Sequence, residues 1–127
     1  MIPLNNPGDV IKGAPARFGV PVELDLAARG IRSIERVGSS YLIVAGPPAD
    51  QGSFALYRWS GLAADAPTPI TGVDLKGLRP EALFAIPQSD RVQLLSDDGG
   101  VKVDGVACKK LPEARQAYRS LILTLPP

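Results

Sequence analysis

From Phe18 to Leu26, apolar and polar residues alternate. Phe18, Val20, Val22, Leu24 and Leu26 share one face, and Gly19, Pro21, Glu23 and Asp25 share the other. A period of two predicts a half-buried strand. Pro21 has no N–H to give a ladder, which places this strand at a sheet edge. Ahead of it, residues 1–15 carry Pro3, Pro7 and Pro15 and read as an irregular lead-in. Ile31 to Val37 is a second strand, turning at Gly38-Ser39-Ser40. Tyr41 to Ala45 is continuously apolar, the signature of a short strand buried on both faces. A loop from Gly46 to Ser53 leads to a strand at Phe54 to Trp59, and an outer strand is expected over Ile70 to Leu75.

The pattern then restarts. Gly77-Leu78-Arg79 echoes Gly30-Ile31-Arg32 at an offset of about 47 residues, within the repeat length of four-stranded propeller blades. Strands are expected at Glu81 to Ile86, Arg91 to Leu95 and Tyr118 to Leu125. Val101 to Lys109 reads as a short strand pair or one bent strand, with Asp104-Gly105 as a hairpin signal. Pro112 to Ala117 is expected to form one helical turn, with Pro112 at its first position. The fold class is therefore all-β and antiparallel: a propeller-like domain of about two four-stranded blades, over residues 16–76 and 77–127. Two blades do not close a ring, which typically needs about four to eight. Open edges and apolar faces would then be covered by missing blades of a parent chain or by a homo-oligomer.

Composition supports a globular domain and narrows its chemistry. Of 127 residues, 45% are hydrophobic and 21% charged, which is neither a disordered nor a membrane-spanning composition. The 13 glycines and 13 prolines are scattered, as short strands and turns require. Lys plus Arg number 14 and Asp plus Glu 13, so no basic footprint for nucleic acid or for an anionic membrane surface follows. The N-terminus lacks a basic stretch followed by an apolar run, and no segment is long enough to span a bilayer, so neither a signal peptide nor a membrane helix is read. Compartment stays undetermined. There is no histidine. Ser-His-Asp and Cys-His catalysis and His-containing zinc sites are excluded within the chain. Cys108 is the sole cysteine, which rules out an internal disulfide.

Four groups of residues carry candidate chemistry. Asp97-Asp98-Gly99-Gly100 offers adjacent carboxylates for Ca²⁺ or Mg²⁺, with Asp104 as a further ligand; the same four residues also make a turn. Arg32, Glu35, Arg36, Arg79 and Glu81 fall on the first strands of the two units. They would either grip an anionic ligand in a central funnel or lock blade to blade as ion pairs. Trp59, with Tyr57 and Arg58, is a stacking platform on one reading and a core anchor on the other. Cys108, next to Lys109 and Lys110, is either a reactive thiol or a small buried apolar residue.

Several segments, in order, carry a resemblance. They are Gly30 to Arg36, Tyr41 to Pro47, Phe54 to Gly61, Arg79 to Leu83 and Leu94 to Gly99. Together they resemble a propeller-like bacterial family, domain of unknown function thirty-six sixteen, over about residues 16 to 125. The resemblance implies the C-terminal part of a longer domain, with blades upstream. It brings no established activity and no catalytic residues. The expected function is a scaffold or binding module. The alternative is a metal-dependent hydrolase with acidic loop ligands, and a third reading is a sugar-binding propeller assembled from two-blade chains, for which one tryptophan is few.

Overall fold

The structure, a computed structural model, describes residues 1–49 and 52–125; positions 50 and 51 of the predicted 46–53 loop and the last two prolines lie outside the described residues. The protein is all-β and antiparallel. The first sheet is a meander of β1 (Gly30–Val37), β2 (Ser40–Gly46), β3 (Ala55–Trp59) and β4 (Thr68–Ile70), in that spatial order. The second contains β5 (Pro80–Ala85), β6 (Arg91–Ser96) and β9 (Ser120–Thr124). Between β6 and β9 the chain makes a small hairpin, β7 (Lys102–Val103) and β8 (Val106–Ala107). The two sheets pack like neighbouring blades of an unclosed propeller, with the inner strands β1 and β5 side by side. The Leu83 N–H donates to Ser33 Oγ across that joint at 3.1 Å.

Alternation along each strand sorts its side chains. Leu42 and Val44 of β2, with Leu56 of β3, meet Leu83, Val92 and Leu94 of the second sheet in one core. Ile43 and Ala45 point the other way, into a second cluster with Tyr57, Trp59 and Leu26. The apolar run at Tyr41 to Ala45 is thus buried on both faces, as its composition predicts. Asp104 and Gly105 both hold positive φ, 52° and 81°, as expected of the central residues of a tight hairpin.

Phe18 to Leu26 departs from expectation. It is extended and one-sided, but forms no ladder with either sheet; apart from the bridge between Leu4 and Phe18 it belongs to no strand. Val22, Leu24 and Leu26 lie flat on the Ile43–Tyr57 face of the first sheet. The period of two comes from packing on one face, not from hydrogen bonding beside it. The arm's backbone bonds instead to the lead-in: Asn5 N–H to Arg17 O, Gly19 N–H to Pro3 O, and Met1 and Val22 to each other. Asn6 is buried and ties this loop shut, donating to Pro15 O and accepting from the Arg17 N–H.

Other boundaries shift for local reasons. The outer strand is Thr68–Ile70 rather than Ile70 to Leu75, because Gly72, at φ 80°, turns the chain away. Pro69 is tolerated on this edge, and Leu75 folds back into the core from the loop. The turn expected at Pro112 to Ala117 is a 3₁₀ turn, Glu113–Arg115, with Pro112 capping it.

The chain enters β1 through Ala27 and Ala28, whose φ values are 53° and 59°. Left-handed backbone costs an alanine roughly 1 kcal/mol. The Ala27 N–H bond to Asp25 Oδ1 holds the turn, and Arg29 ties it to Ser53. Ala28→Gly should therefore raise stability by about 0.5–1 kcal/mol. Leu26→Ala should lower it by about 2–4 kcal/mol by opening a cavity under the arm. Chemical denaturation of both variants checks the pair.

Candidate functional site

Two β-bulges build the candidate site. The β1–β2 register skips Arg32, between Ile31 and Ser33, and the β5–β6 register skips Glu81, between Pro80 and Ala82. A bulge re-aims its extra side chain, and here the two are aimed at each other. Arg32 Nη1 lies 3.5 Å from Glu81 Oε1 across the sheet joint. The structural counterpart of Arg32 is therefore Glu81, not the Arg79 that the sequence echo suggested. Arg32 Nη2 also donates to Pro47 O, while its Nε is buried without a partner among the described residues. Gly46 is required here by close approach: a Cβ on it would sit 2.5 Å from the Phe54 ring and 2.9 Å from Arg32 Cγ.

Around this pair lies a pocket of about 190 Å³ lined by Arg32, Pro47, Ala49, Phe54, Arg79, Glu81 and Asp97. Four of the sequence candidates thus converge: Arg32, Arg79, Glu81 and Asp97. The Arg79 backbone is fixed, its N–H donating to Ser96 Oγ and its carbonyl accepting from the Asp97 N–H. Its guanidinium meets no acceptor among the described residues. Glu35 and Arg36 stand farther along β1, opposite Leu42 and Tyr41, and do not line the pocket.

Asp98 has a different role from its neighbour. It is only 5% exposed, and its carboxylate is fully engaged. Oδ2 accepts from the Arg119 N–H and Nε, and Oδ1 accepts from Arg119 Nη2 and Ser96 Oγ, all at 2.8 Å. Arg119 Nη2 also reaches Gly77 O at 2.9 Å. Arg119, immediately before β9, returns to Asp98 from 21 residues away. Nothing in the local pattern announces it, because only the β6–β9 pairing brings the two together. Asp97 caps its own turn, accepting from the Gly99 N–H at 3.0 Å. The Asp97-Asp98-Gly99-Gly100 segment is accordingly a turn with a buried ion pair, and a cation at Asp98 would have to displace Arg119. Among the described residues no three His, Cys, Asp or Glu side chains converge to hold a metal ion. Asp104 stands on the hairpin with exposed Arg115.

The aromatic candidates are interior. Trp59 Nε1 donates to Leu62 O and Asp65 O at 3.1 Å, and its ring packs on Tyr41 with centroids 5.6 Å apart. Tyr57 donates to Leu26 O, pinning the arm. Cys108 is buried, with Sγ between the Ala117 carbonyl and N–H. Among the described residues no helix is long and apolar enough to cross a membrane.

Comparison with protein-family models, with curated proteins and with solved structures finds no match to this chain.

The Arg119 side chain holds the Asp98 carboxyl well below the usual carboxylate range, against the opposing effect of burial and with help from Ser96. A carboxylate whose pKa is depressed on folding stabilises the fold above its unfolded value of about 3.9. That contribution should be constant above about pH 5 and fall away below about pH 4. Asp98→Asn should cost about 2–3 kcal/mol near neutrality. The gap from the parent protein should narrow steadily in acid, which denaturant titrations at several pH values will read directly.

Proposed function

We propose that the protein is a non-catalytic binding module on a propeller-like scaffold, and that its recognition site is the pocket at the joint of the two sheets. The observation that carries this reading is the Arg79 guanidinium beside the Arg32–Glu81 pair. Glu81 already offsets Arg32. Arg79 is the cation left to recognise a ligand, on a backbone fixed by Ser96 and Asp97. A planar guanidinium selects carboxylate or phosphate groups. Asp97, whose Oδ1 is engaged by Gly99, adds negative charge at the rim for a cationic group on the same ligand. The pocket suits a small ligand of a few heavy atoms, smaller than a drug-sized molecule.

Thermal melting in the presence of inorganic phosphate, dicarboxylates and amino acids tests the proposal. A ligand at about 100 times its Kd should stabilise the fold by about 2.7 kcal/mol. Arg79→Gln should abolish that shift and leave the unliganded stability within about 0.5 kcal/mol of the parent, while Arg91→Gln on β6, outside the pocket, should retain it. Absence of any shift across the panel, or a shift that persists in Arg79→Gln, refutes this site.

A further inference from the structure

The charges lining the pocket at the sheet joint balance. Arg32 and Glu81 form one ion pair. That leaves one cation, Arg79, and one anion, Asp97, on the same lining. These two stand opposite each other across the strand pair. Pro80 is paired with Ser96 one step further in, and the Asp97 N–H donates to Arg79 O at 2.8 Å. Opposite charges in that relation lie about 5 Å apart at Cβ and ordinarily attract. Here they do not meet: neither residue forms an ion pair among the described residues.

The cause is local. Asp97 is drawn into its own turn, Oδ1 accepting from the Gly99 N–H at 3.0 Å. The Arg79 guanidinium reaches toward Gly100, where a Cβ would sit 3.8 Å from Nη1. Both main chains are held. The Arg79 N–H donates to Ser96 Oγ at 2.9 Å, and that hydroxyl donates in turn to Asp98 of the Asp98–Arg119 pair. The separation is therefore built into the turn. It leaves Asp97 Oδ2 and the Arg79 guanidinium without protein partners among the described residues.

A split pair of this kind selects its ligand by charge. A simple anion drawn to Arg79 meets Asp97 beside it, and a simple cation drawn to Asp97 meets Arg79. A molecule that carries both charges on neighbouring atoms satisfies the two at once. The rest of the wall is Pro47, Ala49 and Phe54, which is apolar. Within about 190 Å³ it leaves room for a short hydrocarbon group. Building on the reading of this pocket as a recognition site, we propose that its ligand is a free aliphatic α-amino acid. The carboxylate lies on the Arg79 guanidinium, the ammonium on Asp97 Oδ2 and the side chain against Phe54.

Isothermal titration calorimetry with L-valine, N-acetyl-L-valine, L-valinamide, succinate and inorganic phosphate tests the assignment. Valine should bind at least about tenfold more tightly than any of the others, because each of them lacks one of its two charges, and a lost charge-assisted hydrogen bond costs about that factor or more. Asp97→Asn keeps the turn, since the amide oxygen accepts the same Gly99 N–H. It should weaken valine at least about tenfold and bring N-acetylvaline level with it. Arg79→Gln should remove binding of both. If N-acetylvaline, succinate or phosphate binds as tightly as valine, or if Asp97→Asn binds valine undiminished, the amino-acid assignment falls and Arg79 stands as a plain anion site. If no compound binds, if valinamide matches valine, or if Arg79→Gln still binds valine, the assignment falls together with the recognition site itself.

Discussion

The fold depends on burying β2 on both faces at once. Leu42 and Val44 need the second sheet, and Ile43 and Ala45 need the arm that carries Val22, Leu24 and Leu26. A single four-stranded meander can cover only one of those faces with its own loops. Burying two such faces is worth several kcal/mol in transferred area alone, comparable to the whole net stability of a small domain. The arm and the second sheet are therefore not accessories to the first sheet. They are the two layers that make its central strand possible.

Where the layers meet, polar groups do the positioning. The bulges at Arg32 and Glu81 interrupt their ladders at equivalent places, and each supplies the other's counter-ion. Ser33 Oγ accepts the one cross-joint backbone N–H described, that of Leu83. The long excursion between β6 and β9 is closed at its base by Asp98 and Arg119. Ser96 links that ion pair to the Arg79 backbone and so to the pocket. The turn that sets the Arg79 main chain is thus the turn that anchors β9. Rigidity at the pocket and integrity of the second sheet share one hydrogen-bond network, and buried networks of this kind hold their members to a single geometry.

The two sheets share a plan but differ in what covers them. The outer face of the first is closed by the arm. The corresponding face of the second leaves Phe84 and Ile122 exposed. Where the two sheets meet, the pocket gathers guanidinium groups beside carboxylates.

Much of this was legible in the sequence. The alternations and the apolar run at Tyr41 to Ala45 marked the strands. Asp104-Gly105 marked its hairpin, and the bracketing of strands by Gly and Pro marked the turns. Each is a property of adjacent residues, so the chain alone determined them. Arg32, Arg79 and Glu81 were also visible, as charges on the first strands of the two units that would meet in a funnel or as ion pairs. Asp97 was visible only as a loop carboxylate, and the specific pairing of Arg32 with Glu81 was not visible, because it depends on two bulges that no local pattern encodes. Arg119 was invisible because only the pairing of β6 with β9 returns it to Asp98, and the arm read as a strand because one-sided packing and ladder pairing leave the same period of two. The chain by itself determined which segments extend and which face of each is apolar. Tertiary structure decided which segments lie side by side, and hence which charge meets which, because those partners stand 21 residues apart in one case and on different sheets in the other.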